Sequence, residues 1–168
     1  APRLLALFDR LGIQTTWFIP GHTADTYPEP AAAAGAHGHE IGNHGYAHEA
    51  FDTLSAEEAR AVIRKANATL QQVTGQTPRG MRVPAGECHG DLFEILASEG
   101  FSYDSSQYGE YERFWCRSAD TVRFDGPNLL GRDLDLVELP LSFVMDDFNY
   151  FEFNYANPTL VGLSAPSK

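Results

Sequence analysis

The chain has 168 residues, 43% of them hydrophobic and 21% charged, enough for one domain that buries roughly 70% of its unfolded surface. That composition excludes a disordered chain, and no run is long and apolar enough to read as a membrane span. The 12 Lys+Arg against 23 Asp+Glu give a formal charge of -11, a field that repels phosphate backbones and anionic lipid, so neither nucleic acid nor a membrane is an expected partner.

Leu4, Leu5, Leu7, Phe8 and Leu11 recur at helical spacing, and Gly12 stands where a left-handed C-cap belongs, so a helix is expected to end there. This opening reads as structure within a domain rather than as a leader. Cys88 and Cys116 are too few for a disulfide framework, and together these features set a cytoplasmic location as the expectation. Residues 13–19 are rich in β-branched and aromatic types and stop at Pro20-Gly21, the pattern of a strand closed by a turn. A short helix is expected near residues 30–34, ending at Gly35, with a strand at residues 39–42.

Ser55 and Glu58 form a capping box ahead of Ala59, Val62, Ile63, Ala66, Leu70 and Val73, which line one helical face, and Gly75 ends that helix. Residues 81–83 read as a strand, 92–97 as a helix ending at Gly100, and 101–103 as another strand. Alternation of this kind predicts an α/β fold with a parallel sheet covered by helices. Residues 108–135 carry scattered Gly, Pro, Arg and Asp and read as a long loop, the kind of segment that often carries function. Residues 136–144 form a last apolar run.

His44 and His48 stand four apart, and if the segment coils into one helical turn both imidazoles leave the same face and can share a metal. Two neutral imidazoles suit Zn and its neighbours. The same spacing also arises in surface or hydrogen-bonded histidines. Arg82 and Pro84 directly follow a predicted strand, at the sheet edge where ligand-binding loops gather. There Arg82 could clamp a carboxylate or stand as a strand-end surface charge. His22, after Pro20-Gly21, could face the same cleft or bond nearby backbone. Asp146-Asp147 reads either as paired carboxylates, one with a raised pKa, or as a solvated strand end. The aromatic cluster Phe148, Tyr150, Phe151, Phe153 and Tyr155 suggests packing in a core or between subunits of a homo-oligomer.

Gly38-His39-Glu40-Ile41-Gly42-Asn43-His44-Gly45-Tyr46-Ala47-His48-Glu49, followed by Arg82-Val83-Pro84-Ala85-Gly86, resembles the second and third motifs of the polysaccharide deacetylase (NodB-homology) family. Thr16-Trp17-Phe18-Ile19-Pro20-Gly21-His22-Thr23 and Asp146-Asp147-Phe148 are similar to its intracellular branch, which has peptidoglycan-deacetylase-like, allantoinase-like and cyclic-imidase-like members.

The resemblance implies a distorted (β/α) barrel, with residues 1–168 a piece of one catalytic domain, incomplete at both ends. It implies that His44 and His48 ligate a divalent metal, usually zinc. Arg82 would orient the catalytic base, the Ala85 NH would donate to an oxyanion, and Pro84 and Asp147 would meet the substrate. The family's first aspartate pair would precede Ala1 and its late histidine would follow Lys168, so the third ligand, the base and the acid are expected outside this stretch. The expected reaction is hydrolysis of an amide C–N bond, N-deacetylation of an amino sugar, with a small or oligomeric substrate. Ring opening of an imide or allantoin, and an inactive carbohydrate-binding relative, are the alternatives. The presence of both histidines argues against an inactive relative and against the allantoinase-like members.

Overall fold

The computed structural model describes residues 1–86, 91–109, 112–121, 123–142 and 144. Helix α1 (Pro2–Leu11) opens with proline in its first turn, where no NH is needed, and closes on Gly12 at φ 64. Strand β1 (Thr16–Ile19) leads through Pro20 into two short helices, α2 (Gly21–Thr26) and α3 (Pro28–Ala36). The single short helix expected near residues 30–34 is therefore longer and has a predecessor. Gly35 does not end it. A Cβ there would lie 3.2 Å from the Gln76 amide nitrogen, so this glycine permits close packing.

Strand β2 (Glu40–Asn43) precedes α4 (Ala56–Thr74), whose capping box is formed as expected: Glu58 NH donates to Ser55 Oγ, and Ser55 NH donates to the Glu58 carboxylate. Then come β3 (Gly80–Met81), α5 (Leu92–Ser98), β4 (Tyr103–Asp104), β5 (Phe114–Arg117) and β6 (Asp133–Glu138). The sheet order is β1-β2-β3-β4-β6-β5, with every pairing parallel except β5 with β6. Among the described residues no helix is long and apolar enough to cross a membrane.

The long loop expected at residues 108–135 is corrected by β5 and by the early start of β6. In β5 only Cys116 points inward, with Phe114, Trp115 and Arg117 exposed, so no apolar alternation marks the strand. In β6 the inward positions are Leu134, Leu136 and Glu138, and the carboxylate interrupts the pattern that would reveal it.

The helices cover one face of the sheet. Ile63, Met81, Leu92, Leu96 and Leu136 pack there in one buried cluster, and Leu5, Ile19, Ile41 and Leu70 in a second. Side chains alternate along a strand, so Phe18, Gly42, Gly80 and Tyr103 belong to the other face. A Cβ on Gly42 would fall 2.4 Å from the Phe18 ring. That ring meets Tyr103 edge-on at 6.4 Å and lies 4.6 Å beneath the Arg82 guanidinium. Gly42→Ala is therefore expected to cost about 1–3 kcal/mol through overpacking, read as a lower urea midpoint. An unchanged midpoint would show that Phe18 can move aside freely.

Pro20, His44, Arg82, Ser105 and Leu139 each follow the last residue of a parallel strand. They gather at the carboxyl edge of the sheet, where open α/β sheets bind ligands.

Candidate active site

His44 leaves β2 directly after Asn43, whose side chain is buried and tied to α4: its amide donates to the Ile63 carbonyl at 3.1 Å and to Asn67 at 2.8 Å. Asn43 Oδ1 also accepts the Gly45 NH at 2.8 Å, so the turn after β2 is fixed from below. The segment does not coil into the helical turn that the His44–His48 spacing invited. Gly45 (φ 71) and His48 (φ 62) are both left-handed, and the Glu49 carboxylate accepts the NH groups of Tyr46 and Ala47, each at 2.9 Å. This loop still brings the two imidazoles together, with centroids 5.1 Å apart and planes at 81°. The pairing expected from the sequence is present, but a different backbone produces it.

His44 Nδ1 donates to the Arg82 carbonyl at 2.6 Å, which fixes the tautomer and leaves Nε2 as the lone-pair nitrogen. Burial holds the His44 pKa below its ordinary value against the raising effect of that hydrogen bond, and the charges of His48 and Arg82 push it the same way as burial. Such a ring stays neutral, the state a metal ligand needs. The donor chemistry of the pair fits a divalent transition metal. Among the described residues no third His, Cys, Asp or Glu joins them, so the two supply part of the three-ligand set that a catalytic zinc takes.

Arg82 is anchored by the end of β4. Its Nε donates to the Ser105 carbonyl at 2.9 Å and its terminal nitrogen to Ser105 Oγ at 2.7 Å. Ala85 holds φ 60, a conformation that costs a non-glycine residue about 1–2 kcal/mol. His48 and Ala85 are the two non-glycine residues at positive φ among the described residues. Both line one cavity of about 450 Å³, together with His44, Arg82, Tyr108 and Leu141. Backbone strain concentrated on one cavity is a mark of a functional site. Pro84 is buried and packs toward Gly45, where an added Cβ would meet its ring at 3.5 Å. Asp147 and its neighbour Asp146 lie outside the described residues, as does the aromatic cluster that follows them.

His22 lines a neighbouring cavity of about 360 Å³ that shares His48 as a wall, and its ring stands edge-on to Tyr46 at 6.2 Å. His37 bonds Asp9 at the surface and buried His39 accepts the Thr15 NH, neither near the cavity-lining set.

Sequence reasoning did not single out Ser105, Ser106, Asp104 or Glu138. Asp104 and Glu138 are cross-strand partners in the β4–β6 register and both are fully buried. Burial above all, then the Glu138 charge, pushes the Asp104 carboxyl well above its ordinary range, a shift that favours the protonated form. The only signal available was the short polar run 104–106 at a strand end.

Three comparisons bear on this site. Residues 1–103 match the family model described as polysaccharide deacetylase. A peptidoglycan deacetylase of Helicobacter pylori is 31% identical over 98% of this chain and 60% of its own length. Among solved structures, a Mycobacterium smegmatis protein ascribed to the polysaccharide deacetylases shares 33% identity over 88% of this chain and 47% of its own, with a TM-score of 0.74. A CE4 family pseudoenzyme of Bacillus anthracis shares 25% identity over 61% of this chain and 37% of its own, with a TM-score of 0.59. The chain spans roughly half the length of the curated relatives it matches.

Proposed function

Since the chain belongs to the polysaccharide deacetylase family, we propose that it carries two of the metal ligands and the substrate-facing loop of a hydrolase that removes the N-acetyl group of an amino sugar. The observation that supports this is one cavity lined at once by His44, His48, Arg82 and the strained Ala85. His44 and His48 would hold the metal, which when bound supplies Lewis-acid activation. Arg82, pinned by Ser105, would present its guanidinium to the carboxylate that serves as base.

Of the loop amides, that of Val83 donates to Ser106 Oγ and that of Gly86 to the Val83 carbonyl, while Pro84 has none. The Ala85 NH is the one assigned to the developing oxyanion, where loss of a donor typically costs about 100- to 1000-fold in rate. Tyr108 and Leu141 wall the cavity and are bridged to each other, which favours a short glycan over a long polymer.

A second reading is a catalytically silent relative, favoured by the likeness to a pseudoenzyme. The test uses the full-length protein with added zinc on short N-acetylglucosamine oligomers, a polymeric glycan, cyclic imides and allantoin. Acetate release from the short oligomers is expected. Ring opening without acetate would move the assignment to a cyclic amidohydrolase. No turnover by zinc-loaded protein would favour the silent relative.

A further inference from the structure

We propose that Ser106, clamped by the buried Asp104–Glu138 pair, is a positioning residue that sets the Val83–Gly86 backbone at the candidate site. The inference rests on the reading of that loop as part of the active site, and it concerns residues that no comparison assigns a role.

Ser106 touches both ends of the loop. Its Oγ accepts the Val83 NH at 2.8 Å, and its carbonyl oxygen sits 3.3 Å from where a Cβ on Gly86 would stand. The same side chain is held from the other direction: Oγ donates to Asp104 Oδ1 at 2.9 Å, while the Ser106 NH reaches Asp104 Oδ2 at 2.9 Å and Glu138 Oε1 at 3.1 Å. A serine hydroxyl is a rotor with one proton. Once Asp104 takes that proton, a lone pair is left for Val83 and the loop has one resting place. The adjacent Ser105 completes the grip, since its Oγ accepts from Arg82 and donates to the Leu139 carbonyl at 2.7 Å. Two successive residues just past the end of β4 thus hold the Arg82 side chain and the Val83 backbone.

Glu138 receives the Gln107 NH at 3.1 Å and the Gln107 side-chain amide at 3.2 Å besides the Ser106 NH. These donors fix the Glu138 side chain beside Asp104. Two buried acids in one strand register are costly where apolar residues would pack. A site-directed reason for keeping them is that they orient a hydroxyl next to a loop that must be held to a fraction of an ångström. Displacement of catalytic groups by about 1 Å can cost on the order of 100-fold in rate even when the altered residue is far from the chemistry.

The test compares full-length wild type with Ser106→Ala and Glu138→Gln. Acetate release from a short N-acetylglucosamine oligomer, thermal melting and amide hydrogen exchange are measured on each. Ser106→Ala is expected to lower kcat about 10- to 100-fold with KM within about threefold, and to speed exchange in residues 82–86 while the helix α5 amides stay protected. Glu138→Gln keeps the shape of the pair and should shift both readouts in the same direction but less. Unchanged kcat and loop exchange in Ser106→Ala would overturn the proposal. So would exchange that rises equally in the loop and in α5, because that marks global loosening. If wild type releases no acetate, the functional reading fails, and the exchange comparison alone still decides whether Ser106 sets the loop.

Discussion

His44→Ala is expected to lose stoichiometric divalent metal and to lower acetate release about 100- to 1000-fold, with only a small change in melting temperature. The magnitude follows from the several kcal/mol of transition-state stabilisation that a catalytic metal supplies, at about 1.4 kcal/mol per tenfold in rate. His48→Ala should give nearly the same loss, and the double variant little more, since groups that act as a unit are not additive. Stability should hold because the His44 ring is linked to the rest of the fold by one hydrogen bond, to the Arg82 carbonyl. At the left-handed backbone of position 48 glycine relieves strain and alanine does not, so His48→Gly is expected to melt no lower than His48→Ala. Elemental analysis of purified wild type and variants checks the metal, and steady-state acetate release checks the rate. Equal, substoichiometric metal in folded wild type and double variant would remove the metal-centre reading.

Much of the fold was legible because it is written locally. The capping box at Ser55 and Glu58, the left-handed glycines at 12 and 75, and the turn after Ile19 each act within a few residues, and each element forms where those signals place it. The α/β architecture expected from the alternation holds, and the structural neighbours share it in the distorted (β/α) barrel of the NodB-homology type, of which the described strands form an open arc. Features that depend on distant partners were not legible. Strand β5 is recognised by its pairing with β6 rather than by its own residues, since three of its four side chains face outward.

The site divides in the same way. Residue types at a motif spacing marked His44, His48 and Arg82, but the loop that joins the two histidines depends on Asn43 and Glu49 satisfying backbone amides, which spacing alone does not reveal. Nothing local marks the acids at 104 and 138 as a buried pair, which only the β4–β6 register sets face to face in the interior.

That buried pair gives the second large effect expected, on stability and its pH dependence. Asp104→Ala would leave the Ser106 hydroxyl without its acceptor while the Ser106 NH keeps only Glu138, and a buried polar group left unsatisfied costs about 1–3 kcal/mol. Asp104→Asn is a different case. Asn offers a donor toward Glu138 and carries no proton to lose. It keeps only one of the two oxygens that accept from Ser106, a cost that offsets its stability curve without changing the slope. In wild type the native Asp104 pKa lies well above the ordinary 3.8, so between that ordinary value and the raised one the folded state holds a proton that the unfolded chain has released. Stability attributable to Asp104 is therefore greatest at acid pH and declines as pH rises through this window. The Asn variant lacks the decline. Denaturant melts of wild type and Asp104→Asn across that range should show the variant gaining on wild type as pH rises, by about 1.4 kcal/mol for each pH unit of the window crossed. Parallel curves would mean that Asp104 is ionised in the folded state, where its carboxylate would still accept the Ser106 hydroxyl and the aim at Val83 would stand.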